Sequence, residues 1–147
     1  MRMTNGGFLI SQIKQIQGRV FEKLLHNAGI DTFNGAQGRI LFVLWQEDNL
    51  PITELSRRTG LAKTTLTGML DRMETDGFLT REYSKTDRRQ IHIVLTEQAR
   101  MHYDAYQRVS DEMAILFYQG FSDEEIGDFE DKLRRILKNL EDCEHDR

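Results

Sequence analysis

The sequence predicts a mainly α fold with a single small β-hairpin. Three observations predict it: apolar residues recur at spacings of three and four through most of the chain, one stretch switches to alternation, and Pro occurs once in 147 residues. With 39% hydrophobic and 30% charged residues, the composition is that of one soluble, helix-rich domain. The longest apolar run, Ile40 to Trp45, falls far short of the roughly 20 residues that cross a bilayer as a helix. The opening MRMTNGGFLISQ lacks the apolar core and cleavage site of a secretory signal. A cytoplasmic protein with no membrane partner is expected.

Taken in order, Phe8 to Leu25 places Leu9, Ile13, Ile16, Val20 and Leu24 at helical spacing, with Phe21 and Leu25 beside them. An amphipathic helix is expected there. Asn34 is a good N-cap for a second helix, from about Gly35 to Gln46, although Gly35 and Gly38 weaken its start. Ile40, Leu41, Val43, Leu44 and Trp45 nearly surround that helix, which predicts it as the buried centre. Leu50-Pro51-Ile52 then offers a short extended segment, suited to a third strand beside the hairpin.

From Pro51 to Leu79 the pattern is two helices joined by a tight turn. Gly60 ends the first helix because Gly tolerates the positive φ of a helix C-terminus. In the second, Leu66, Met69, Leu70 and Met73 fall at i, i+3, i+4 and i+7 and form one apolar stripe. Opposite the stripe lie Thr64, Thr67, Gly68, Asp71 and Thr75, with Lys63, Thr65 and Arg72 at its flanks. Short side chains and hydroxyls of this kind suit the DNA major groove, which is about 12 Å wide. Backbone N–H groups at the helix start attract a phosphate.

From Phe78 the period changes to two: FLTREYS and QIHIVLT read as strands of a hairpin with Ser84 to Arg89 at its tip. A helix pair followed at once by such a hairpin is the plan of a winged helix-turn-helix. Lys85, Arg88 and Arg89 at the tip would reach backbone phosphates or a minor groove, whose negative potential favours Arg. Asp87 is expected to orient Arg89 by a charge-assisted hydrogen bond. The expected DNA contacts are Thr53, Lys63, Thr64, Thr65, Thr67, Gly68 and Arg72 on the helices, with Lys85, Arg88 and Arg89 on the wing.

After the wing, Thr96 is a credible N-cap for a long helix to about Gln119, ended by Gly120. Phe121, Ser122, Glu125 and Ile126 then form a capping box with a hydrophobic staple, opening a helix that carries Phe129, Leu133, Ile136, Leu137 and Leu140. The two end helices bear apolar stripes that a thin winged module cannot cover. Intermolecular packing is therefore expected, in a two-fold homodimer whose residues 8–25 and 122–141 interdigitate with their mates. Residues 34–96 form the reading module, and 1–33 with 97–147 the dimerisation helices.

The net charge of −4 weighs against a nucleic-acid partner until its distribution is considered. Residues 51–100 hold nine Lys/Arg and seven Asp/Glu, whereas residues 101–147 hold six and thirteen. The acidity sits outside the reading module. One cysteine, Cys143, excludes an intrachain disulfide and a multi-cysteine zinc site. His26, His92, His102 and His145 show no metal spacing, so no metal or cofactor is expected. With no Gly-rich phosphate loop, G-x-S-x-G or zinc-hydrolase motif, an enzyme is not expected.

The residues Ile52-Thr53-Glu54-Leu55, Gly60-Leu61-Ala62-Lys63-Thr64-Thr65-Leu66-Thr67, Leu70-Asp71-Arg72-Met73-Glu74, Gly77-Phe78-Leu79, Asp87-Arg88-Arg89 and Leu95-Thr96 together resemble the MarR family of bacterial transcriptional regulators. The motifs span Asn34 to about Ala99. The resemblance implies a winged-helix homodimer on pseudo-palindromic operator DNA, often released by a small ligand or an oxidant. It implies a repressor, with an effector pocket where the dimerisation helices meet the reading module; His26, Phe42, Trp45, Met101 and Tyr103 are candidates by position. Three residues depart from the family pattern. Ala62 stands where Ser is usual and removes a side-chain N-cap. Gly68 stands where Arg is frequent, and Ala99 where Gly is common. The alternative function is a winged-helix protein-interaction module that binds no DNA.

Overall fold

A computed structural model describes residues 2–145. Its elements are α1 (Gly6–Asn27), α2 (Gly35–Gln46), β1 (Leu50–Pro51), α3 (Ile52–Thr59), α4 (Lys63–Thr75), β2 (Leu79–Tyr83), β3 (Ile91–Leu95), α5 (Glu97–Met101), α6 (Tyr103–Phe117) and α7 (Asp123–His145). The fold is mainly α with a small antiparallel sheet, a winged helix-turn-helix. The strand order is β1-β3-β2, with Leu50 opposite Ile93, Leu79 opposite Leu95 and Tyr83 opposite Ile91. Among the described residues no helix is long and apolar enough to cross a membrane.

The chain forms two compact units, one up to Ser110 and one from Asp111 onward. In the first, α2 is the centre: Ile40, Leu41 and Leu44 are fully buried. Its start is held by a reciprocal cap in which the Gln37 N–H donates to Asn34 Oδ1 at 2.8 Å and the Asn34 N–H to Gln37 Oε1 at 3.1 Å. Leu25, Leu55, Leu66, Leu70, Met73, Phe78, Leu79 and Ile93 join it in the core from five further elements and the turn before the wing, and Leu50, Ala99, Tyr106 and Val109 add to it from β1, α5 and α6. The predicted third strand is present. Asp48, just before it, accepts from the Leu95 N–H at 2.9 Å and from Arg100 at 2.7 Å, which ties the end of β3 to the loop after α2.

The expected continuous helix from Thr96 is broken at His102. Thr96 does cap it, its hydroxyl accepting the Ala99 N–H at 3.2 Å. The His102 N–H then bonds Ala99 O at 3.2 Å, a tight turn, while its ring lies edge-on to Phe33 and Phe78 at 5.6 and 5.9 Å. The i to i−3 bond at His102 separates α5 from α6.

In the second unit the capping box is formed as expected: the Ser122 N–H donates to Glu125 Oε1 at 2.9 Å and the Glu125 N–H to Ser122 Oγ at 3.1 Å. Tyr118 packs its ring against Phe121 and Phe129 and donates its hydroxyl to Glu130 at 2.7 Å. Loss of solvent, and then the Glu130 carboxylate, push the Tyr118 hydroxyl up to about 12.

Candidate nucleic-acid interface

The turn between α3 and α4 is built from local hydrogen bonds. Gly60 takes φ +74°, a left-handed conformation that a side chain would strain. Around it the Ser56 hydroxyl donates to Leu61 O at 2.6 Å, the Thr59 hydroxyl donates to Leu55 O at 2.8 Å, and the Leu61 N–H donates to Thr59 Oγ1 at 3.2 Å. On the outer side of α3, Glu54 receives Arg57 and, at 2.9 Å, Arg58, which also reaches Glu47 at 2.8 Å. These hydrogen bonds hold the Glu54 carboxyl at about 2, well below its ordinary 4.5.

With the turn fixed, α4 buries Leu66, Leu70 and Met73 and turns its other side to solvent. Lys63, Thr64, Thr65, Thr67, Gly68 and Arg72 are all exposed. The Thr67 hydroxyl donates to Lys63 O at 2.8 Å, leaving its lone pairs as outward acceptors. At Gly68 an added Cβ would meet no atom within 4 Å, so the backbone there is open to close approach. Ala62 supplies no side-chain cap; the N–H groups of the first turn of α4 therefore suit an anion from outside. Thr53 is exposed near the start of α3.

The wing tip is a compact loop. Ser84 Oγ lies 3.3 Å from the N–H groups of both Thr86 and Asp87, and Ser84 N–H donates to Gln90 O at 2.9 Å. Asp87 Oδ1 accepts the Arg89 N–H at 3.0 Å and sits 3.5 Å from Arg89 Nε. Its firmer hold is on the backbone, which shapes the loop and leaves the Arg89 side chain 94% exposed. Lys85 and Arg88 are exposed beside it. Sequence reasoning missed Arg81 on β2, whose guanidinium binds Asp71 at 2.7 Å and Glu74 at 2.8 Å, both on α4. A lone Arg in a strand pattern carries no signal for that pairing.

The five effector-pocket candidates all lie in the first unit. Trp45 and Tyr103 pack edge to face at 5.5 Å, and Trp45 Nε1 donates to Ala99 O at 3.2 Å. Phe42 packs against the core and Met101 is exposed. His26 lines a polar cleft of about 370 Å³ shared with Glu22, Asp31, Thr32, Asn34 and Arg72. Among the described residues no three His, Cys, Asp or Glu side chains gather to hold a metal, and Cys143 is exposed.

Known proteins share this architecture. The profile of the MarR family matches residues 33–91. The HTH-type transcriptional repressor YetL of Bacillus subtilis (strain 168) is 30% identical over 104 residues, 69% of this chain and 62% of its own length. Alignments with the next two relatives span only 41% and 40% of theirs. Among solved structures, reduced AbfR bound to DNA is 28% identical with a TM-score of 0.69, covering 90% of this chain and 88% of that one. A MarR variant from E. coli complexed with operator DNA is 22% identical with a TM-score of 0.78, covering 93% and 99%; at that identity it shows the fold alone. The uncovered polar side of α4, the arginine-tipped wing and these matches point one way: the chain is similar to the MarR family, whose profile it matches over residues 33–91.

Proposed function

We propose that this chain is a DNA-binding transcriptional repressor that acts as a homodimer on a pseudo-palindromic operator and responds to a small-molecule effector. The observation that carries the reading is the outward side of α4. It is an exposed surface of hydroxyls and a bare glycine, flanked by Lys63 and Arg72, on a helix whose other side is fully committed to the core. The name of YetL and the DNA in the AbfR crystals support the same reading. In a two-fold dimer, two such helices about 34 Å apart would meet successive major grooves. Thr53, Lys63 and the start of α4 would take phosphates, Thr64, Thr65 and Thr67 the base edges, and Arg88 and Arg89 the flank. Arg72 lines the polar cleft as well as flanking the reading side, so a ligand there would act directly on α4.

The test begins with duplexes selected by the protein from a randomised pool. Retention of no sequence above random DNA would remove the reading and favour a protein-interaction module. With a selected duplex, Arg89→Ala is expected to weaken binding by about tenfold and to reduce the log–log salt slope by about one. Unchanged affinity would remove the wing assignment.

A further inference from the structure

Thr67, Asp71 and Glu74 stand at i, i+4 and i+7 on α4, so the polar side that begins with Lys63 and Thr64 ends in two carboxylates. A duplex laid along that side brings phosphates toward Asp71 and Glu74, and like charges repel. Both carboxylates are engaged from β2. Arg81 Nη2 donates to Asp71 Oδ1 at 2.7 Å, Arg81 Nη1 donates to Glu74 Oε1 at 2.8 Å, and the Arg81 backbone N–H donates to Glu74 Oε2 at 3.2 Å. The Arg81 side chain is 21% exposed against 66% for Asp71 and 42% for Glu74. The cation therefore lies beneath and the acids outside.

We propose that Arg81 is a charge mask for the reading helix: it neutralises Asp71 and Glu74 from behind and so lets the C-terminal half of α4 approach DNA. Arg81 acts through those two acids and is a positioning residue. The inference rests on the DNA-binding reading.

The experiment compares wild type, Arg81→Met, the pair Asp71→Asn with Glu74→Gln, and all three changes together. Each is titrated against wild-type-selected duplexes at several salt concentrations, with thermal unfolding followed in parallel. Arg81→Met is expected to weaken binding by about tenfold or more at low salt, a gap that closes as salt screens the exposed acids. The triple variant is expected to return to within about threefold of wild type, because the repelling charges are gone although the tie is still broken. A triple variant as weak as Arg81→Met, or a gap indifferent to salt, overturns the mask and leaves a structural tie. If Arg81→Met fails to fold, the acid pair variant with Arg81 retained decides: tighter binding than wild type supports the mask, and equal or weaker binding overturns it. Wild type that selects no duplex removes the DNA-binding reading and the inference with it. Wild type that binds, with Arg81→Met binding equally well, removes the inference alone.

Discussion

Gly38 lies in the first turns of α2, and a Cβ there would stand 2.5 Å from Cε2 and 3.1 Å from Cζ of Tyr106. That ring is buried and in contact with Phe21, Phe33 and Trp45, so it has nowhere to withdraw. A glycine that costs the helix about 1 kcal/mol in propensity is thus what allows α6 to sit against α2. Gly38→Ala should regain that amount and lose about 1–3 kcal/mol to overpacking. The expected net result is a melting temperature lower by a few degrees, of order 5 °C. Gly68 is the control, because a Cβ there meets nothing. Gly68→Ala should raise the melting temperature, and circular dichroism melts of the two variants side by side check both signs.

The helix-turn-helix depends on α3 keeping its place, and the Glu54 cluster is where that dependence can be titrated. The hydrogen bonds from Arg57 and Arg58 hold the Glu54 carboxyl at about 2 in the fold, below its ordinary 4.5. The unfolded chain therefore binds the proton first as pH falls. The contribution of Glu54 to stability is fully present above about pH 4.5 and is lost as pH drops toward 2. Glu54→Gln should melt lower than wild type at pH 7, with a difference that shrinks through that window and vanishes near its lower end; a difference constant with pH would show that charge is not its source. Elements held by such local bonds were legible in the sequence. The Asn34 N-cap and the Ser122–Glu125 box act within three residues, and the stripe of Leu66, Leu70 and Met73 fixes by exclusion which side of α4 stays outside; that Gln37 closes the Asn34 cap is seen only in the structure. The break at His102 was not legible, since neither Gly nor Pro marks it, and the rings of Phe33 and Phe78 that meet the imidazole come from far along the chain. Nor was the pairing of Arg81 with Asp71 and Glu74, which depends on where β2 passes α4. The cleft is harder still to read, because a cavity is the space left after distant elements have packed.

At the scale of the whole molecule, apolar surface remains at both ends of the chain. No residue of α1 before Leu25 is buried, and Leu9, Ile13 and Ile16 stay exposed along it, as Ile136, Leu137 and Leu140 do along α7, which has no buried residue at all. Covering one such side chain is worth about 1.5–3 kcal/mol, and a second copy of the chain supplies matching stripes in the two-fold arrangement proposed here. Ile16→Glu separates folding from assembly, because Ile16 is 52% exposed within one chain and its replacement leaves the core untouched. The expected outcome is an unchanged circular dichroism spectrum, a monomer by sedimentation at micromolar concentration, and a loss of operator affinity of about 100-fold or more, since two linked half-site contacts become one. The phosphate contacts of each protomer would survive, so random-sequence DNA at low salt should bind with the salt slope per protomer unchanged, whereas Arg89→Ala removes one contact from each protomer. A variant that stays dimeric would move the interface away from α1. A monomer that holds its operator undiminished would mean that one copy reads the site alone.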